Sequence, residues 1–137
     1  MKKLQYRILV ITIAIIFIYV CSCSTSLKNQ NSMNQTILIF GMSTPDGMNV
    51  TKKQWNSFLK NYVTPAFKEG FTVIDAYGQY LCKKNKIVKE NSKILLLLHN
   101  NTKQQKTSIT SIINCYKKLF QQESVLKISS SPNVSFK

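Results

Sequence analysis

Hydrophobic and polar positions along this chain fall into blocks whose period changes from strand-like to helical and back. Thr36 to Met42 (Thr-Ile-Leu-Ile-Phe-Gly-Met) is a short continuous apolar run closed by the turn sequence Ser43-Thr44-Pro45-Asp46-Gly47, which predicts a first strand. Thr51 and Gln54 have the spacing of a capping box, where hydroxyl and amide side chains satisfy the first free backbone N–H groups of a helix. Trp55, Phe58, Leu59, Tyr62 and Val63 follow at helical period, and Pro65 ends or kinks that helix by disfavouring helical geometry at Thr64. Phe71 to Leu81 is β-branched and aromatic, a second strand. Lys83-Lys84-Asn85-Lys86 reads as a polar hairpin turn, and Ile87 to Leu98 returns as a third strand whose end, Ile94 to Leu98, has no polar alternation. Thr102 and Gln105 repeat the capping-box spacing ahead of Ile109, Ile112, Ile113, Tyr116 and Phe120, a second apolar helical stripe. Ser124 to Ser129 predicts a fourth strand, with Ser130 to Lys137 a tail that could extend it.

The order β-α-β-β-α-β is the ferredoxin-like, split βαβ arrangement of an α+β domain: a four-stranded antiparallel sheet with two helices on one face. Strands one and three are central in that topology, and they are the two most uniformly apolar here. The other sheet face is left open. Alternation directs about four large apolar residues to it, with two of Ile37 to Phe40 and Leu95 with Leu97 as the expected set. At ~1.5 to 3 kcal/mol each, leaving them wet forfeits an amount comparable to a domain's stability. This predicts a face-to-face homodimer resembling the dimeric α+β barrels; the alternative is coverage by the chain's own tail or tether.

The beginning of the chain carries a different signal. Lys2, Lys3 and Arg7 precede a nearly unbroken apolar run from Ile8 to Val20 and then Cys21-Ser22-Cys23. A basic start, a short apolar stretch and small residues predict an export signal over residues 1–22, because a stable membrane span takes about 20 apolar residues; an uncleaved anchor is the alternative. Val20-Cys21-Ser22-Cys23 resembles the lipobox of bacterial lipoproteins, which makes Cys23 the expected site of lipidation and the new N-terminus. Ser24 to Gln35 is polar and without hydrophobic period, so residues 23–35 read as a tether spanning roughly 20 Å, and 36–137 as one domain. The expected localisation is export to the bacterial cell envelope, held to the membrane by the lipid anchor.

The 137 residues hold 19 Lys+Arg against 5 Asp+Glu. Beyond residue 22 all 16 basic residues are Lys, and a chain without Arg there lacks the bidentate groups typical of nucleic-acid readers. Export and missing Arg together exclude nucleic acid as the expected partner. The lysines fit either adhesion to an anionic surface or a solvated basic face.

Candidate chemistry is sparse. No metal-ligand spacing, glycine-rich phosphate loop or nucleophile elbow occurs, so no metal or cofactor is expected. His99, the sole histidine, reads as a surface or strand-end residue. Export permits Cys82 and Cys115 to pair if their Cα atoms lie within about 7 Å. Asp75, Tyr77 and Gln79 share one face of strand two, and Glu90 and Ser92 on strand three could complete a polar cluster with them if the register allows. Asp75 is an acid inside an apolar strand: burial would raise its pKa and suit it to acid/base work, whereas a carboxylate bound by Lys or backbone donors near a sheet edge is the structural alternative. Asp46 and Ser43 are expected to close their turn by side-chain hydrogen bonds.

Phe40-Gly41-Met42-Ser43 with Pro45-Asp46-Gly47, Trp55 with Phe58, Val63-Thr64-Pro65 with Phe67, Gly70-Phe71-Thr72-Val73 with Asp75, Gly78-Gln79-Tyr80, Glu90 with Ser92, and Tyr116, Phe120 and Gln122 to Leu126 run in an order that resembles the bacterial domain-of-unknown-function 3574 family. The resemblance spans Thr36 to Ile128 and implies a small, often exported domain without adding a mechanism. Ala66 and Leu81 stand where relatives tend to carry Arg, and Gln54 where Glu is usual. Taken together, the sequence predicts a membrane-tethered binding or structural lipoprotein, with Asp75, Tyr77, Gln79, Glu90 and Ser92 as candidate contacts for a small molecule. The alternative is a small dimeric α+β barrel enzyme using Asp75 as its acid/base group.

Overall fold

The computed structural model describes residues 33–82, 85–135 and 137. The expected export signal, Cys23, most of the tether, and Lys83 and Lys84 of the hairpin turn lie outside the described residues. The elements are β1 (Asn34–Gly41), α1 (Lys52–Phe58), β2 (Thr72–Leu81), β3 (Ile87–His99), α2 (Lys103–Phe120) and β4 (Leu126–Ser130). All strand pairings are antiparallel and the spatial order is β2-β3-β1-β4, so β1 and β3 are central. This is the split βαβ order read from the sequence.

Both helices start at a closed capping box. The Gln54 N–H donates to Thr51 Oγ1 at 3.3 Å while Gln54 Oε1 accepts from the Thr51 N–H at 2.8 Å. Thr102 and Gln105 repeat the exchange. α1 widens into a π-helical turn over Leu59–Val63, and the chain leaves it at Pro65, whose missing N–H cannot continue the ladder. α2 ends at Gln121, whose positive φ of 52° is the left-handed cap that reverses the chain.

The core lies between the helices and one sheet face. Phe40 on β1 meets Trp55 and Phe58 of α1 and Tyr116 of α2 with ring centroids 4.5–5.8 Å apart, in edge-on and tilted geometries favoured by aromatic quadrupoles. Leu38, Leu95 and Leu97 complete it at 0% exposure. Leu95 and Leu97 therefore face the helices, and the expectation that they sit on the open face is corrected. The phase of β3 places Ile94, Leu96 and Leu98 there instead.

Two further differences concern the ends of elements. Asn34 and Gln35, expected in the tether, belong to β1, where Asn34 pairs with His99 and Gln35 with both Leu98 and Ser130. Ladder pairing needs backbone groups and not apolar side chains, so polarity hid this extension. His99 is buried at 3% exposure and is not a surface residue: its Nε2 lies 2.9 Å from Thr36 Oγ1, and its Nδ1 accepts from the Asn101 N–H at 3.1 Å. An accepting Nδ1 makes Nε2–H the donor to Thr36, which is the neutral tautomer.

Candidate functional site

The β2–β3 register decides which predicted residues meet. Asp75 pairs with Lys93, Tyr77 with Asn91 and Gln79 with Lys89, on the side of the sheet that carries the helices. Ala76 pairs with Ser92 and Gly78 with Glu90, on the opposite side. The single cluster of Asp75, Tyr77, Gln79, Glu90 and Ser92 therefore does not assemble. Three residues face one way and two the other.

Asp75 lies on an edge strand with its side chain 82% exposed, ion-paired to Lys93. This is the structural alternative, and the buried acid is corrected: an outward-pointing carboxylate in water keeps its solvation. Beside the pair, a cavity of about 610 Å³ runs between α1 and the β2–β3 strands, with Trp55, Val50 and Val73 among its apolar walls and Asn49, Asn56 and Asn91 among its polar ones. Tyr77, at 62% exposure, lies beyond it.

Glu90 has a more constructed setting. β1 ends at Gly41, opposite Ser92, and the Glu90 carboxylate lies over that glycine: a Cβ there would come within 2.5 Å of Glu90 Oε1. The Ser43 N–H donates to the same oxygen at 3.3 Å. The left-handed turn at Gln121 brings Gln122 across, and its Nε2 donates to the Ser43 carbonyl at 2.6 Å. From below, the Tyr116 hydroxyl donates to the Gly41 carbonyl at 2.7 Å. Burial first, and then the neighbouring Glu90 charge, push the Tyr116 pKa far above its ordinary value, so the phenol remains a donor.

A cavity of about 550 Å³ opens over this frame, bounded by Ile39, Tyr80, Val88 and Leu126 on its apolar side and by Glu90, Ser92 and Gln122 on its polar side. Among the described residues no basic group pairs with Glu90. The arrangement can accept a hydrogen bond or a positive charge at Glu90 while packing an apolar moiety against the sheet. Gly41, Ser43, Tyr116 and Gln122 entered the sequence reading only as a strand residue, a turn, a helical stripe and a run of resemblance. No pattern linked them, because they meet through contacts 47–79 residues apart.

The open face continues from this cavity as two rows crossing the sheet. Ile74, Ile94, Ile39 and Leu126 form one; Thr72, Leu96, Ile37 and Ile128 form the next. The outer members remain wet, with Ile74 and Ile128 at 46% and Leu126 at 58% exposure. Cys82 and Cys115 are both free thiols, so the pairing left open by the sequence is not made.

A family model described as "Protein of unknown function (DUF3574)" matches residues 35–136. Among solved structures, a phage SAM lyase in complex with S-methyl-5'-thioadenosine superposes with a TM-score of 0.55 at 16% identity, covering 79% of this chain and 88% of the other. A phage SAM lyase in the apo state gives a TM-score of 0.54 at 16% identity, covering 79% of this chain and 87% of the other. At that identity the likeness is one of fold. No curated protein matches the chain.

Proposed function

The chain belongs to the DUF3574 family of proteins of unknown function, so its activity has to be argued from its own surfaces, and we propose that it is an exported, membrane-tethered lipoprotein whose domain is a homodimeric binding and structural module of the bacterial cell envelope. The observation that carries this reading is the pair of aliphatic rows on the open sheet face, Ile74-Ile94-Ile39-Leu126 beside Leu96-Ile37-Ile128. A contiguous apolar band of this kind marks an interaction surface. A second copy supplies a matching band by symmetry, since an isologous contact pairs a patch with itself. The Ile8 to Val20 run supplies the export signal, and Cys23 with the polar residues after it supplies the anchor and tether. A stable anchor needs more than one acyl chain, which a diacylglycerol on Cys23 with an N-terminal acyl group would provide.

Acid/base catalysis at Asp75 draws no support from an exposed, ion-paired carboxylate. The Glu90 cavity is the place for a small ligand, and S-methyl-5'-thioadenosine, bound in the phage lyase, is a rational first probe. Native mass spectrometry of the mature protein extracted in a non-ionic detergent is the test. A dimer carrying lipid mass on Cys23 supports the reading. A monomer at micromolar concentration sinks the dimer, and an unmodified Cys23 sinks the anchor.

A further inference from the structure

The two sides of the domain carry different chemistry. Residues 52–63 hold Lys52, Lys53 and Lys60, and α2 holds Lys103, Lys106, Lys117 and Lys118; neither segment contains an Asp or Glu. Lys127 of β4 joins them, because it pairs with the core residue Leu38 and so points to the helix side. The two aliphatic rows of the opposite face contain no lysine.

Helix stability explains only part of this pattern: Lys117 and Lys118 sit in the last turn of α2, where a cation complements the helix dipole. Lys52, Lys53, Lys103 and Lys106 all sit in the opening turns of their helices, and neither helix has an acid in its first turn. Cations there oppose the helix dipole, at ~0.3 to 1 kcal/mol each. Solvated helices ordinarily mix signs and gain from Glu–Lys pairs one turn apart. A layer of one sign, with four of its lysines placed against the helix dipoles, fits a partner of the opposite sign.

We propose that the helix layer is the docking surface for a linear phosphate polyanion of the cell envelope. Lysine ammonium groups are mobile point charges suited to a repeating phosphate chain, and the domain has none of the bidentate guanidinium groups that read a fixed pattern. The choice of a polymer over a flat lipid leaflet rests on the homodimer reading above. Face-to-face packing buries the sheets and points the two helix layers outward in opposite directions, so a leaflet meets one layer and a flexible polymer meets both.

The test uses the full chain in non-ionic micelles and long-chain inorganic polyphosphate carrying a fluorophore, with affinity read by anisotropy across ~50 to ~200 mM salt. Each phosphate neutralised on a single chain contributes a salt slope of about 0.7, so removing four contacts weakens binding on the order of 100-fold near 0.1 M salt and flattens the slope by nearly 3. The variant K53Q/K60Q/K103Q/K118Q should do this, Gln having nearly the helix propensity of Lys. A control with the same net charge, K28Q/K68Q/K86Q/K137Q, removes lysines outside both helices and should change affinity less than about threefold. Equal losses in the two sets reduce the effect to net charge and overturn the proposal. Binding to phosphatidylglycerol vesicles with none to polyphosphate also overturns it. A monomer in the native mass spectrum refutes the dimer separately, and leaves the comparison of the two variant sets to decide this surface.

Discussion

Replacing Ile94 by Lys tests the open face at its centre. Ile94 lies mostly buried on β3 between Ile39 and Ile74. Full burial of an isoleucine side chain is worth ~1.5 to 3 kcal/mol. The neighbours already cover most of it, so a partner completes ~0.5 to 1 kcal/mol per copy, and a two-fold contact counts it twice. Lysine forfeits that and brings an ammonium group to a drying surface, where its stem must bend to keep the charge in water. A combined loss of at least ~3 kcal/mol weakens the dimer about 100-fold or more. In the lone domain the change forfeits the part of the side chain its own neighbours cover, so folding stability should fall by ~1 to 2 kcal/mol. Sedimentation equilibrium gives the dissociation constant, and urea unfolding of dilute protein gives the stability. Leu119→Lys, on α2 at 49% exposure, makes the same chemical change away from the sheet and should leave association intact. If Ile94→Lys and the unmodified chain associate equally within about threefold, the copies do not meet at this face, whatever their stoichiometry.

Three further outcomes follow from the geometry. Burial first, then Lys127 and Lys106, hold the His99 pKa below its ordinary value near 6.5, so the unfolded chain takes up that proton first. Stability should be level in this respect above about pH 6.5 and decline as pH falls below it; urea unfolding at about pH 7.5 and 5.5 should show the decline, with less of it in His99→Gln, and equal pH slopes would refute the assignment. Tyr116→Phe removes the donor to the Gly41 carbonyl and should cost ~1 to 2 kcal/mol by chemical denaturation; a cost under about 0.3 kcal/mol would mean that water replaces the phenol. Gly41→Ala should drive the Glu90 carboxylate off its seat and lose the Ser43 contact, whereas in the Glu90→Ala background the added methyl meets less resistance, giving a coupling of ~0.5 to 1 kcal/mol in a double-mutant cycle; strict additivity would contradict the close approach.

Much of the fold was legible because its signals are local. The Thr51–Gln54 and Thr102–Gln105 spacings fix where helices begin, Pro65 limits the first, and stripes such as Ile109-Ile112-Tyr116-Phe120 identify the buried side. From those pieces the split βαβ order followed, since strands one and three had the composition of central strands. The site was less legible. Its frame joins Gly41, Ser43, Glu90, Tyr116 and Gln122 by a close approach and by hydrogen bonds across the chain, and the sequence carries no signal for such distances.

The error on β3 shows what decides a face when alternation is silent. Ile94 to Leu98 is apolar at every position, so its own sequence is equally compatible with either phase, and a shift of one residue exchanges the faces. The ends of the strand break the tie. Buried on the helix side, His99 has both ring nitrogens satisfied, by the Thr36 hydroxyl at 2.9 Å and the Asn101 N–H at 3.1 Å, and burying an imidazole without partners would be costly. Two residues before it, Leu97 must then face the core, and Leu95 two before that. The same parity sends Lys93 to the helix side beside Asp75 and Glu90 to the other, over Gly41. The buried His99 thus shares one phase with Leu97, Leu95 and Lys93, and that phase separates the Asp75 ion pair from the Glu90 cavity.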